Sequence, residues 1–574
     1  PTFMKALHFL LALALSGSVW SQTTDYTELS DGRPKPAASA WQKAAEKPLF
    51  VWGDIDTRYE KFALPGKQTG ALLHLYAWRG ENVNAQAVLY TARPLSHITV
   101  RAEDGLPETA HTTAFVRYVI TDEFAGGCGH RPDHSKFDSL LVADVLDERQ
   151  TMDVEACTAR PVWLRIQVPA DTRPGTYKGT LTLQAEEGVS MKLPYRLHVA
   201  DRTLPAPTQW KFHLDLWQNP YSVARLYNVP LWSQAHFDRM RPIMERLAAA
   251  GQKVITTTVM QYPWNGQTED PFESMVTRIR RLDGTWTYDY AVFDRWVEFM
   301  LSLGIDKQIN CYTMVPWALK FDYFDQASNT MKYVHAKPGD PAYEAYWLPF
   351  LTDFARHLKN KGWFERTAIA MDERAMDQMR EAFALIHKAD PDYKISGAAH
   401  YYPEVEPRMY DLCLAYGERL PDEVLARRQK EGKITTVYTC CTEAYPNLFT
   451  FSAPAEAAWL PWHALAGGYD GYLRWAYNSW TARPLQDTRF RTWPAGDCFL
   501  YYPGGSSIRL ERLIEGVQDA EKVRLLREEF TRKGNQKKLQ QLERIVSDFM
   551  PQNLHGPNAP AMVNKAREAL RKLP

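Results

Sequence analysis

Thr367-Ala368-Ile369-Ala370-Met371 is a run of five residues without a charge, closed abruptly by Asp372-Glu373-Arg374, and the stretch before it, 347–359, carries apolar residues at three- and four-residue spacing. The first reads as a short buried strand and the second as an amphipathic helix. Working outward from this pair, the same alternation recurs. Strand-like runs lie at 212–217, 253–260, 308–314, 367–371, 394–399, 411–416, 434–438 and 471–476, and further helical stretches at 237–250 and 293–303. Eight strand–helix units over about 270 residues predict a (β/α)8 TIM-type barrel, placed at 209–506. The connections thin out between the fifth and seventh runs, so a distorted barrel or another α/β layout is the competing arrangement.

The chain on either side has a different rhythm. From 49 to 203, short alternating runs at 84–90, 114–120, 162–168, 176–183 and 191–199 are broken by turn residues, the pattern of a β-sandwich. The segment 201–208, DRTLPAPT, has two prolines and little periodicity, and marks the boundary between the domains. Beyond 507 the sequence is charged and helical to 574, which predicts a solvated helical extension packed on the barrel. At the other end, Met4 and Lys5 precede an apolar run at 6–15, and Ser16, Gly17, Ser18 and Ser21 then lead into Gln22. That is the order of a secretory signal over 1–21, with cleavage expected after Ser21, a linker over 22–48, and export to the periplasm or the medium. The run is about half the roughly 20 residues that a membrane span requires, so no integral segment is expected after leader removal.

Composition narrows the function. With 574 residues the chain is too long for one core, and two to three domains are expected. Lys plus Arg and Asp plus Glu are both 68, so no net field favours a polyanion and a nucleic-acid partner is not expected. Seven scattered cysteines are no disulfide scaffold, and their odd number leaves at least one unpaired or intermolecular. Cys440-Cys441, after a strand-like run, read as buried structural thiols. Aromatic residues make up 13%, a supply of flat apolar faces with polar edges.

Active sites of such barrels form at the C-terminal strand ends. There the sequence places Trp217, Gln218 and Asn219; Gln261, Tyr262 and Trp264; Pro316 and Trp317; Asp372 and Glu373; His400, Tyr401 and Tyr402; Glu418; Thr439 and Glu443; and Tyr477, Asn478 and Trp480. Rings that stack on sugar C–H faces, with amides, imidazole and carboxylates for hydroxyls, make a carbohydrate pocket. Asp372-Glu373 is its sharpest feature. Two adjacent acids in a half-desolvated mouth repel, one stays protonated near neutral pH, and the result is a general acid beside a carboxylate. The same pair also suits a helix N-terminus. Two consecutive acids suffice where the substrate's own 2-acetamido group is the nucleophile, whereas a two-carboxylate mechanism requires a second acid from another strand, for which Glu418 and Glu443 are the candidates. A non-catalytic carbohydrate-binding protein is the third possibility.

The string Ile369-Ala370-Met371-Asp372-Glu373-Arg374, with GYLRWAYN at 471–478, WPAGD at 493–497 and SIRLER at 507–512, resembles glycoside hydrolase family 123 and its relatives over about 78–522. The resemblance implies a β-sandwich followed by a (β/α)8 barrel. It also implies exo-acting β-N-acetylgalactosaminidase activity, retaining through an oxazoline intermediate, without metal or cofactor. Asp372 resembles the acetamide-orienting residue and Glu373 the general acid/base. Trp475, Tyr477 and Asn478 match the family's eighth-strand segment near the sugar. On this reading Trp475 walls the acetamido pocket, Tyr401 or Tyr438 donates to the acetamide carbonyl, and Trp217, Gln261 and His400 complete the lining. The expected partner is a glycan ending in β-linked GalNAc. GalNAc against GlcNAc, the aglycone and the oligomeric state stay open, and the sandwich is expected to buttress the barrel.

Overall fold

The computed structural model describes residues 26–66, 72–123, 139–491 and 493–573; the expected leader lies outside them. Eight short parallel strands make a barrel-like sheet: His213–Leu216, Val254–Thr258, Gln308–Tyr312, Thr367–Met371, Lys394–Ala398, Asp411–Ala415, Ile434–Tyr438 and Gly471–Arg474. All eight fall inside the runs read from sequence, and the fourth and seventh agree to the residue. Each neighbour pair is laddered except the first and second strands. At that seam only a bridge at Leu214 and Gln252 and the bond from Lys253 N to Leu214 O (2.9 Å) join backbone to backbone. Two buried glutamines do the rest. Gln252 accepts from Leu216 N (2.9 Å) and donates to Val254 O (2.7 Å), while Gln218 accepts from Thr256 N (2.9 Å). Side-chain amides thus satisfy backbone groups that an incomplete ladder would leave orphaned, and Gln218, read from sequence as pocket lining, is a seam residue instead.

Helices Gln234–Ala249, Ala291–Ser302, Pro341–Lys361, Met376–Ala389, Asp422–Lys430 and Pro454–Ala466 connect the strands, and between the fifth and sixth only the 3-10 turn Glu406–Arg408 does so. One element has no sequence-based counterpart. Strands Thr277–Arg280, Trp286–Asp289, Lys320–Asp325 and Thr330–His335, inserted after the second and third barrel strands, form a separate four-stranded sheet.

The N-terminal part is a strand-rich domain of two sheets. One orders Leu49–Gly53, Asn82–Thr91, Thr158–Gln167, His111–Thr121, Leu140–Asp147 and Ser506–Ser507; the other orders Leu73–Arg79, Ser190–Thr203, Gly175–Gln184, Leu95–Glu103 and Met152–Val154. Residues of both, including Trp52, Leu89, Ile98, Leu164, Leu181 and Leu197, share one hydrophobic core. Residues 26–48 are no loose linker. Helix Ala38–Ala45 buries Trp41, and Glu28 is buried against Arg160 (2.6 Å) and Lys61 (2.8 Å).

The last strand of the first sheet, Ser506–Ser507, comes from beyond the barrel and pairs antiparallel with Val145 and Leu146. Ser507 then caps helix Ile508–Arg532, its hydroxyl accepting from Leu510 N (3.0 Å). The expectation of a solvated helix fails here, since every residue from Ile508 to Glu521 is buried. Its charges are neutralised in pairs across the two domains. Arg509 meets Asp144 (2.9 Å) and donates to the carbonyls of Leu448 (2.8 Å) and Phe499 (2.8 Å). Arg512 meets Asp56 (3.0 Å), and Glu511 takes Arg246 and Arg165. Buried charges survive only when so compensated. Gly516 lets this helix lie directly on Pro454–Ala466: a Cβ there would sit 2.6 Å from the Ala458 carbonyl oxygen.

Candidate active site

The fourth strand ends at Met371 and delivers Asp372 and Glu373 to the C-terminal rim of the barrel-like sheet. Arg374 fixes the turn. Its Nη1 lies 2.8 Å from Asp372 Oδ2 and donates to the Glu373 carbonyl (2.7 Å), its Nε donates to the Val315 carbonyl (2.7 Å), and its guanidinium lies 3.9 Å from the centre of the Trp317 ring. Sequence reasoning quoted Arg374 without giving it a role; the signal was its place beside two acids that a single cation must organise.

The two carboxyls differ. Asp372 is mostly buried, and burial pushes its carboxyl above the usual carboxylate range even though Arg374 pulls the other way. Its Oδ1 is buried with no hydrogen-bond partner among the described residues. An acceptor in that condition costs energy until a donor arrives. Glu373 is exposed, and its Oε1 accepts from the Tyr438 hydroxyl at the end of the seventh strand. Burial first, and Glu373 second, hold that phenol far above its usual titration range, so it remains a donor.

Beneath the pair lies an aromatic floor. Trp217, Trp264, Phe272, Tyr312 and Tyr438 form one cluster with Ala370, Cys413 and Leu473, and Trp475 packs at its edge. Trp217 stacks on Trp264 (5.1 Å between centroids) and meets Tyr312 at 4.5 Å. Trp264 Nε1 is buried without a partner among the described residues, a second polar atom left open in this pocket. Tyr312, the last residue of the third strand, was hidden from sequence reading because a strand's own aromatic reads as core.

The other expected residues divide. His400, exposed, and Tyr401, half-buried, follow the fifth strand and are both held by Glu418, which accepts from Tyr401 N (3.3 Å) and pairs with the His400 ring. Glu443 caps its own turn, accepting from Cys440 N (2.8 Å) and the Thr442 hydroxyl (2.6 Å). Gln261 sits half-buried after the second strand. Tyr438, which with Tyr401 was a candidate donor to an acetamide carbonyl, donates its hydroxyl to Glu373. Tyr477 and Asn478 are not in the mouth. Tyr477 is fully buried with its hydroxyl on Ile243 O (3.0 Å), and Asn478 clasps Asn219, accepting from its N (2.9 Å) and donating to its O (2.8 Å). The chain turns outward after Arg474, which aims both side chains into the barrel wall. Arg474 itself is fully buried below the rim, bonded to Asp497 (2.6 Å), Asn447 (2.6 Å) and Thr439 O (3.0 Å). Nor are both neighbouring cysteines thiols: Cys440 is free, and Cys441 is disulfide-bonded. A cleft of about 1240 Å³ lies elsewhere, between the strand-rich domain and the C-terminal helices.

A parallel barrel-like sheet whose rim presents adjacent carboxyls over an aromatic floor is an arrangement suited to a glycoside hydrolase. Residues 217–526 match the glycoside hydrolase 123 catalytic domain and residues 52–185 the glycoside hydrolase 123 N-terminal domain. The chain belongs to glycoside hydrolase family 123. Among solved structures it is similar to a family 123 glycoside hydrolase from Clostridium perfringens, studied for the details of glycolipid glycan hydrolysis. That likeness has 25% identity and a TM-score of 0.81, covering 92% of this chain and 98% of the other. A family 5 xyloglucanase from Bacteroides ovatus shares 10% identity over 78% of this chain and 98% of its own, with a TM-score of 0.31. No curated protein matches the chain.

Proposed function

We propose that this protein is an exo-acting β-N-acetylgalactosaminidase that removes terminal β-linked GalNAc, with retention, by substrate assistance. The observation that carries the reading is the unsatisfied, buried Oδ1 of Asp372, whose other oxygen is already held by Arg374. An acetamide N–H is the donor it lacks. With that N–H oriented by Asp372, the acetamide carbonyl oxygen attacks C1 as the C1–O bond breaks, and Glu373 gives its proton to the leaving oxygen. Water, deprotonated by Glu373, then attacks C1, opens the oxazoline and restores the acetamide. The barrel is read as a (β/α)8 barrel and the two-sheet domain as a β-sandwich that buttresses it.

The reading is favoured over the rival two-carboxylate mechanism by the engagement of its candidates, Glu418 with His400 and Tyr401 and Glu443 with its own turn. The glycolipid substrate of the Clostridium perfringens relative favours glycolipid glycans as the natural target. Export, first read from the leader, is supported by the disulfide at Cys441, a bond of oxidising compartments.

The test is release of p-nitrophenol from the β-GalNAc, β-GlcNAc and β-galactose glycosides, with Asp372→Asn and Glu373→Gln alongside and a GalNAc-thiazoline as inhibitor. Cleavage of the GalNAc compound alone is expected, with strong inhibition by the mimic of the cyclised intermediate. Loss of the acid in Glu373→Gln should cost about 100-fold or more on poor leaving groups and less on good ones. Efficient cleavage of the galactoside, which has no acetamide, would overturn the mechanism.

A further inference from the structure

The cleft of about 1240 Å³ between the strand-rich domain and the C-terminal helices is bordered by neither the carboxyl pair nor its aromatic floor. Sites that bury a small molecule hold roughly 300–1,000 Å³, so this one has room for a chain of sugars. One wall comes from strands Leu73–Arg79 and Ser190–Thr203, which run parallel. Their residues Leu75, Ala77, Leu197 and Val199 point into the core of the domain. The alternate residues therefore face the cleft, and they include His74, Tyr76, Trp78 and His198. A row of rings on the open face of a sheet, with Tyr76 44% exposed, is a surface that awaits a cover.

The rings are also organised. His74 Nδ1 and His198 Nε2 are 2.9 Å apart, while the ring centres are 5.3 Å apart and the planes agree within 6°. Centres that distant across so short a contact require the two imidazoles to lie edge to edge in one plane. Tyr76 is nearly parallel to His198 with centroids at 4.7 Å, too close for rings side by side, so it overlaps the imidazole face. The Thr176 hydroxyl, 3.0 Å from His198 Nδ1, starts a chain that runs through His198 to His74. The far nitrogen of His74, Nε2, has no partner among the described residues and is free to meet a hydroxyl. The C-terminal helices add charge. The Arg571 guanidinium lies 4.0 Å from the centre of the Tyr76 ring, and neither Arg571 nor Arg532, which also borders the cleft, pairs with a carboxylate among the described residues. Acids that border the same space, Glu81, Asp519 and Glu529 among them, are already held by Lys522, Arg567 and Arg202.

We propose that this cleft is a second, non-catalytic glycan site, which holds a sugar chain bearing a carboxylate. A pyranose packs its C–H face on the rings of Tyr76, His198 and His74, His74 Nε2 meets a hydroxyl, and Arg571 takes the carboxylate. No residue of the carboxyl pair borders the cleft, so the glycan held there is not the one being cut. On a surface that carries many glycans, holding one chain keeps others at high local concentration for the carboxyl pair. The site does not depend on which sugar the enzyme cleaves.

The experiment measures equilibrium binding of sialyllactose and of lactose, which differ by one carboxylate-bearing sugar, to the full chain and to its Tyr76→Ala, Tyr76→Phe and Arg571→Gln variants. The parent should bind sialyllactose more tightly than lactose, and the preference should shrink as salt is added. Tyr76→Ala should weaken sialyllactose by about tenfold, the worth of one aromatic face, and Tyr76→Phe should recover most of it. Arg571→Gln should bring sialyllactose down to the affinity of lactose. Turnover of p-nitrophenyl β-GalNAc should be the same in all four proteins, because none of these side chains belongs to the catalytic site. Absence of sialyllactose binding to the parent, or lactose bound as tightly, would overturn the proposal. So would sialyllactose affinity undiminished in Tyr76→Ala, which would place the sugar in the catalytic pocket. Failure of the parent to cleave any GalNAc glycoside would overturn the activity reading alone, since binding in the cleft is read without turnover.

Discussion

Replacing Arg374 by methionine keeps a chain of similar length under Trp317 and removes the charge. Asp372 then sits buried with no cation near it. At 2.8 Å the lost attraction is roughly 6 kcal/mol at an effective dielectric of about 20. Burial already outweighs that attraction in the native site, because the Asp372 carboxyl lies above its ordinary 3.8 with Arg374 present. Loss of a neighbouring arginine typically moves a carboxyl upward by about 1–3 pH units, or roughly 1.4–4 kcal/mol. If ionised Asp372 orients the acetamide, the acid limb of kcat/KM against pH moves up by the same 1–3 units. Stability must follow with a definite sign. An acid whose folded-state pKa exceeds its unfolded one imposes no penalty below the ordinary carboxylate range and its full penalty above the folded value. The thermal midpoint of Arg374→Met should therefore fall further behind the parent as pH rises from 4 toward neutrality. An unmoved acid limb together with a deficit that is flat in pH would refute the reasoning and leave Arg374 a packing residue.

Two further outcomes follow from the same geometry. Tyr438→Phe removes the phenol that donates to Glu373 and should lower kcat by about 10-fold or more, the worth of a hydrogen bond to a charged group, with little change in thermal midpoint; kcat equal to the parent would deny the phenol a part. Gly516→Ala gains about 1 kcal/mol of helix propensity. It also puts a methyl 2.6 Å from Ala458 O and 2.9 Å from Pro461 Cγ, so a net loss of about 1–3 kcal/mol is expected, seen as a lower thermal midpoint; a rise would mean the helices part freely.

The barrel strands were legible because each is a short run with at most one charged residue, bounded by polar or turn residues, and the acid pair because it ends such a run. What escaped the sequence depends on direction and on distant partners. The strand Thr330–His335 is almost wholly exposed, so it carries no apolar alternation to betray it. Tyr477 and Asn478 follow a strand just as Asp372 and Glu373 do, and only the path of the chain after Arg474 sends them into the wall. Helix Ile508–Arg532 looked solvated because its charges are frequent. Their partners Asp56, Asp144, Arg165 and Arg246 lie hundreds of residues away, beyond the reach of any local pattern. Arg374 was in view and unread, since one arginine after two acids has the same spelling whether it clamps them or dissolves in water.

Ser506 and Ser507 complete a sheet whose other five strands lie between residues 49 and 167, and the arginines that follow neutralise Asp144 and Asp56 inside that early-made region. In a chain made from the N-terminus, the strand-rich domain is synthesised with an open edge and with the buried Asp56 still lacking Arg512, while Asp144 has only Arg58 (3.0 Å), and this persists until the residues from 506 onward appear. Completion of the first domain is thus timed by the arrival of helix Ile508–Arg532, so the two domains mature as one event. A chain cut short before residue 507 would carry every residue of the acid pair and the aromatic floor, yet present a quality-control system with an unfinished sheet.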